Sequence, residues 1–280
     1  MNGGWSACGR RSAPGHAPGG AEVPYVRTPA VVLRCIDFSE SSQVVALITP
    51  ELGQVRGLAK GSRRPRRDGR LPLEALTQCD VVLAQKGAGQ LHIVAEWTLR
   101  ETFPRLATDL SRLWRAFYAD EVTMAFATET AEDGIFYGRL LDLLRRLDRG
   151  GEAELALFRF LTQALEASGH RPLVEACAQC RGPLEGTPRF SPGAGGALCG
   201  NCGRGEAGAF AISRGALAVM GRLAARSDRE VGGLRLNAAQ VAEIRRAFNE
   251  QMQYYLGRPL RTARFLAASA GMGRPAADQP

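Results

Sequence analysis

The spacing of apolar residues divides the chain into two parts. From 30 to 99 they fall in short β-branched runs bounded by turn residues, which is the pattern of strands. Ala30-Val31-Val32-Leu33-Arg34-Cys35-Ile36 predicts a first strand and Gln43-Val44-Val45-Ala46-Leu47-Ile48-Thr49 a second. Pro50-Glu51-Leu52-Gly53 predicts a turn, leading to a third strand from Gln54 to about Lys60. The following stretch, Gly61-Ser62-Arg63-Arg64-Pro65-Arg66-Arg67-Asp68-Gly69-Arg70, is too polar and too broken to be a strand. Strands are expected again over about 75–85 and 90–99, joined by a Lys86-Gly87-Ala88-Gly89 hairpin. Five short strands in about seventy residues predict a small closed barrel of OB type, in which closure removes exposed sheet edges.

From Pro104 the period becomes helical. Asp109 reads as an N-cap, with Leu110, Leu113, Trp114, Phe117 and Val122 recurring behind it. A second amphipathic segment runs from Ile135 to Leu147, with Leu140, Leu143, Leu144 and Leu147 on one side. A third runs from Glu152 to Ala167, with Leu155, Phe158, Leu161 and Leu165 inward, ended by Gly169 and Pro172. Helices resume at the N-caps Ser213 and Asn237, and Arg258-Pro259-Leu260 is expected to begin a last short helix through Leu266.

The predicted class is therefore α+β and multidomain. An OB-fold barrel over 28–103 precedes a helical domain over 104–268, which carries an inserted cysteine module at 175–205. Residues 1–27, rich in Gly, Pro and Ala, read as a disordered leader, and 269–280 as a frayed tail. The leader is either a functional tail or the product of a start site set too early. It has no continuous apolar stretch of the kind a signal peptide needs.

Composition changes this picture little. Of the chain's 280 residues, 45% are apolar, and no run approaches the 18 or so needed to span a membrane. Seven cysteines do not form a secreted disulfide pattern, since Cys8, Cys35 and Cys79 are scattered; a reducing, cytoplasmic setting is expected. The net charge of +8 points towards a polyanionic partner. That charge is almost all arginine, Lys60 and Lys86 being the only lysines, so clustering says more than the total.

The most specific motif is Cys177-Ala178-Gln179-Cys180 and Cys199-Gly200-Asn201-Cys202, two C-x-x-C pairs with eighteen residues between them. Two thiolates at this spacing turn back on one ion from a tight knuckle, and the loop brings a second knuckle round to complete a tetrahedron. Two unrelated pairs or two disulfides are the competing readings, and the spacing favours one zinc ion. Four cysteines fill the shell and leave no position for water or substrate, so the expected zinc is structural.

The main functional candidate is the basic stretch from 56 to 70. Arg56, Lys60, Arg63, Arg64, Arg66, Arg67 and Arg70 stand there against one acid, Asp68. Such a loop between barrel strands can follow a phosphate backbone and release counterions from it, although many charge runs are only solvated. Phe38, Trp97 and Phe103 are the only aromatics from 30 to 103, and Trp97 reads as a core or junction residue more readily than as a base platform. Backbone contact is therefore expected to outweigh base readout. Catalytic patterns are missing: Gly57-Leu58-Ala59-Lys60-Gly61-Ser62 lacks the phosphate-loop ending, and there is no H-E-x-x-H or G-x-S-x-G. His92 and His170 read as structural, and the neighbours Asp120-Glu121 as diverging on a helix. No enzyme activity and no small-molecule substrate are expected.

Several of these stretches together resemble the bacterial RecO family of recombination and repair proteins. They are Val31-Val32-Leu33, Asp37…Ser39-Glu40, Leu47-Ile48-Thr49-Pro50…Gly53 and Leu58-Ala59-Lys60-Gly61-Ser62-Arg63-Arg64 in the barrel. The paired C-x-x-C motifs and the closing Tyr254-Tyr255-Leu256-Gly257-Arg258-Pro259-Leu260-Arg261-Thr262…Phe265-Leu266 complete the likeness, which spans about 28–268. The resemblance implies a recombination mediator that binds single- and double-stranded DNA and anneals complementary strands. It further implies cooperation with RecR in loading recombinase onto strands coated by single-strand-binding protein, whose acidic tail some members contact. In that setting Lys60, Arg63 and Arg64 would bind DNA. Some members lack the cysteines, which agrees with a structural metal. The chain departs from the family in its leader, in a basic loop running on through Pro65-Arg66-Arg67 to Leu71-Pro72-Leu73, and in the glycine-rich Ser191–Ala197 between the knuckles. A zinc-stabilised protein-interaction adaptor with incidental DNA contact is the alternative.

Overall fold

The computed structural model describes residues 24–63, 72–87, 90–224 and 233–269. Five strands form the first part: β1 (Tyr25–Asp37), β2 (Gln43–Thr49), β3 (Gly53–Ala59), β4 (Gln78–Ala84) and β5 (His92–Glu101). Their order, β1-β2-β3-β5-β4, closes on itself because β1 pairs with both β2 and β4. This is consistent with the OB-type barrel expected. One pairing in the ring is parallel, Gly57–Ala59 with His92–Val94, and a Cβ on Gly57 would press the Val94 side chain at 2.8 Å.

β1 begins at Tyr25, before the strand predicted from Ala30. Its first half, Tyr25–Val31, pairs with β4 and its second half, Val31–Asp37, with β2. Thr28 and Pro29 interrupt the apolar run, so only the tertiary pairing with β4 makes them strand. The near-continuous hydrophobicity of β1 and β2 also has a physical cause. Ala30, Val32, Val45 and Leu47 fill the barrel, while Val31, Leu33, Ala46 and Ile48 on the other face join the helical core. Strands buried on both faces lose the alternation of a half-exposed sheet. Trp97 is 3% exposed and lies in the barrel core, as the core reading expected.

The second part packs α1 (Pro104–Thr108), α2 (Leu110–Phe126), α3 (Ile135–Arg149), α4 (Ala153–Ala167), α6 (Arg214–Leu223), α7 (Ala238–Leu256) and α8 (Ala263–Ser269), with α5 (Gly200–Gly205) inside the cysteine module. The predicted caps hold. Asp109 accepts from Arg112 N–H at 3.1 Å, Ser213 from Ala216 N–H at 3.1 Å, and Asn237 forms a capping box with Gln240. The inward leucines of α3 and α4 are buried as predicted. Two expectations are corrected. On α2, Val122 is buried and Leu113, Trp114 and Phe117 pack against the core as expected, but Leu110 is 49% exposed and Ala116, Tyr118 and Ala119 complete the fully buried face. α2 is covered on more than one side: Trp114 stacks on Phe265 of α8 with ring centroids 4.0 Å apart. The last helix starts at Ala263 rather than at Arg258, because the N–H groups of Arg261 and Thr262 are taken by the Glu121 carboxylate at 2.9 Å each.

The loop between α2 and α3 packs the helical part against the barrel. Thr128–Gly134, ending in the 3-10 turn Ala131–Gly134, lies against the β2–β3 turn. Gln54 N–H donates to the Thr128 carbonyl at 2.9 Å, and a Cβ on Gly134 would overlap the Pro50 carbonyl.

Candidate nucleic-acid interface and metal centre

The cysteine module is a small folded unit. β6 (Arg189–Ser191), β7 (Gly196–Leu198) and β8 (Phe210–Ala211) make a three-stranded sheet in the order β7-β6-β8. The glycine-rich Ser191–Ala197 segment is the turn of its hairpin, closed by Gly195 N–H to Pro192 O at 3.1 Å. Gly196 has φ +150 and sits where a Cβ would overlap the Leu173 backbone, so glycine is required there. Phe190, Ala197, Phe210 and Ile212 belong to the helical core, and Arg246 of α7 lies 4.1 Å over the Phe210 ring. The module is anchored, not appended.

The two knuckles meet at one point. Arg181 adopts φ +62 and donates its N–H to Cys177 O at 2.9 Å, which tightens the first knuckle. Cys199 is the N-cap of α5, and Gly203 N–H returns to its carbonyl at 2.9 Å. The sulfurs of Cys177, Cys180, Cys199 and Cys202 all lie within 4.8 Å of one another, with Cys180 and Cys199 at 4.0 Å. Tetrahedral zinc–sulfur bonds of about 2.3 Å would space sulfurs by about 3.8 Å. The four thiols are placed to hold one metal ion. Burial would raise the Cys177 thiol, but the N–H groups of Cys180, Cys199 and Gln179 outweigh it and bring it down to about 6. The N–H of Cys202 lowers Cys199 in the same way. Cys202 is raised to about 12, first by its hydrogen bond with Cys199. A set of neighbouring thiols in which two lose protons readily is chemically suited to a dication.

Of the predicted DNA-contacting residues, the structure describes Arg56, Lys60 and Arg63, all exposed; Arg64, Arg66, Arg67 and Arg70 lie outside the described residues. Arg56 stands on the outer wall of β3, and Lys60 follows the end of that strand. Arg63 is less free than its sequence suggests. Its guanidinium lies 3.2 Å from Asp37 and 3.4 Å from Ser39 O, and its N–H donates to Ser41 O at 3.2 Å. The buried Ser62 hydroxyl shares its proton between Gln43 Oε1 and Ala59 O, at 3.0 and 3.1 Å. These contacts fasten the start of the basic loop to the β1–β2 turn.

Sequence reasoning missed Arg34. It pairs with Ala46 across β1 and β2, and Ala46 pairs with Arg56 across β2 and β3, so two exposed arginines flank one alanine. The strand register carries that signal, and a linear charge count does not. It also missed a cleft of about 480 Å³ between β1, α2 and 258–262, lined by Leu33, Arg34, Phe117, Asp120, Glu121 and Arg261. Asp120 and Glu121, expected to diverge, both reach this cleft. Glu121 is committed to Arg261 and Thr262, whereas Asp120 is 6% exposed with Oδ1 unpartnered. His92 accepts Lys86 N–H at Nδ1 (3.0 Å), so Nε2 carries the proton directed to Glu129 at 2.7 Å. That pairing ties β5 to the α2–α3 loop.

Barrel, helical domain and four-thiol centre together define a two-part protein with a basic barrel rim. The chain matches the model "Recombination protein O N terminal" over residues 23–103 and "Recombination protein O C terminal" over 107–264. It is 33% identical over 248 residues to DNA repair protein RecO of Anaeromyxobacter dehalogenans (strain 2CP-C), covering 86% of this chain and 95% of that protein. It is likewise 33% identical over 243 residues to the RecO of Roseiflexus sp. (strain RS-1), covering 86% and 84%. The RecO of Pelotomaculum thermopropionicum is 31% identical over 251 residues, covering 88% and 97%. The chain belongs to the RecO family.

Proposed function

We propose that this protein acts in DNA repair and recombination as a mediator. It binds single- and double-stranded DNA along the barrel rim, anneals complementary strands and, with RecR, helps load recombinase onto DNA coated by single-strand-binding protein. The protein contacts the acidic tail of that coating protein and works in the bacterial cytoplasm at the nucleoid. The contacting residues are Arg56, Lys60 and Arg63, continued in sequence by Arg64, Arg66, Arg67 and Arg70. The supporting observation is the exposure of Arg56, Lys60 and Arg63 at the start of a loop held to the barrel by Ser62 and Asp37. Cations fixed at one rim of a rigid barrel neutralise phosphates without reading bases. Family membership supports the recombination context. In the same reading the four thiols hold one zinc ion that fixes the module and takes no part in chemistry.

The test is strand annealing, with bare DNA and with DNA coated by single-strand-binding protein. The wild-type chain is expected to accelerate both. Joint replacement of Lys60, Arg63, Arg64, Arg66 and Arg67 should weaken binding and reduce the salt slope by about 0.7 to 0.9 per lost phosphate contact. Unchanged binding by that variant removes the role given to the loop. Tight partner binding without DNA binding at low salt would favour the adaptor reading.

A further inference from the structure

The outer wall of the barrel carries a line of apolar side chains beside the basic rim. Ile36 on β1 pairs with Val44 on β2, Val44 with Leu58 on β3, and Leu58 with Ile93 on β5. Residues paired in register share a face, so the four form one line across adjacent strands. Ile36 is 50% exposed, and Val44, Leu58 and Ile93 are half-buried. Beyond the end of β1 stands Phe38, 66% exposed, in a turn held by its own N–H to Ser42 O at 3.0 Å and by the contacts of Arg63. Scattered surface apolar residues are ordinary, but four in register leading to an exposed aromatic are not.

Charge frames this line. Two residues back along the strands stand Arg34 and Arg56; beyond its other side stand Lys60 and Arg63. A polymer with flat apolar faces and a charged backbone matches both features. A lipid surface matches them less well, because the half-buried Val44, Leu58 and Ile93 on a rigid sheet cannot insert and only Ile36 and Phe38 of this patch protrude.

We infer that Phe38 and the Ile36–Val44–Leu58–Ile93 line form a platform on which unpaired bases of single-stranded DNA rest, with the flanking cations taking the phosphates. This rests on the DNA-binding reading above and adds a preference to it. Bases inside a duplex are already stacked and cannot reach the wall, so the platform contributes only to single strands. Stacking on such a platform is sequence-tolerant, because every base has a π face.

The experiment compares oligothymidine with a duplex of equal length, using the full chain, Phe38→Ala and Leu58→Ser. The variants should lose about tenfold in single-strand affinity while duplex affinity changes much less, so the ratio of the two shifts. Phe38→Trp should show tryptophan quenching with oligothymidine and none with duplex. Wild-type protein that binds neither DNA overturns the DNA-binding reading and this inference with it. Wild-type protein that binds both, with variants that bind both equally well or lose both equally, overturns this inference alone. An unquenched Phe38→Trp bound to oligothymidine also overturns it, and carries the test if Leu58→Ser fails to fold. Binding to anionic vesicles that depends on Phe38 would assign the line to lipid and overturn it too.

Discussion

Gly134 meets the carbonyl oxygen of Pro50 where any other residue would have to place its Cβ. Pro50 belongs to the β2–β3 turn and Gly134 to the loop entering α3, so this contact sets how the barrel seats on the helices. On the same turn Gly53, at φ +64, would overlap the carbonyls of Thr128 and Thr130 if it gained a side chain. Gly134→Ala is expected to destabilise the protein by about 1–3 kcal/mol through overpacking. Gly53→Ala adds left-handed strain and should cost more. Urea denaturation midpoints check both, and wild-type stability in either variant would refute the close approach.

The four-thiol centre predicts one bound zinc ion per purified chain, measurable by atomic absorption. Cys199→Ser should lose the metal and stability on the order of several kcal/mol. Helical circular dichroism at low temperature should persist, because Phe190, Phe210 and Ile212 are held by the helical core rather than by the ion alone.

Asp37 offsets part of the charge that Arg63 offers at the rim, across 3.2 Å. Asp37→Ala is expected to strengthen DNA binding by roughly two- to threefold at low salt, the scale of an exposed ion pair. The gain should shrink as salt screens it. A loss of affinity would show that Asp37 matters more for holding the turn than for balancing charge.

Asp120 and Glu121 predict opposite responses to pH. Burial first, and the charge of Glu121 next, push the Asp120 carboxyl well above its ordinary 3.8, against the pull of Arg34. The folded chain then keeps a proton that the unfolded chain has released, so stability falls as pH rises above 3.8. Asp120→Asn should be more stable than wild type at pH 7 and equal to it below pH 3.8, where both the folded and the unfolded wild type hold the proton. Burial would also raise Glu121, but the N–H groups of Arg261 and Thr262 and the Thr262 hydroxyl hold it below its ordinary 4.5. Its contribution is full at neutral pH and is lost as pH falls below 4.5. The gap between wild type and Glu121→Ala should therefore close in acid, as thermal melts at pH 3 to 7 would record.

The sequence by itself determined the local features. Five strand runs, the caps Asp109, Ser213 and Asn237, the leucine faces of α3 and α4, and the paired C-x-x-C knuckles follow from periodicity, capping chemistry and metal-ligand spacing. Those are properties of residues close in the chain. What joins distant segments was left to the tertiary structure. Thr28 and Pro29 became strand because β4 pairs with them, and the last helix began late because Glu121 captured the N–H groups before it. Arg34 joined Arg56, and Ile36, Val44, Leu58 and Ile93 fell into line, only once strand register was fixed. A linear reading locates a run of charge; register decides which side chains share a surface with it.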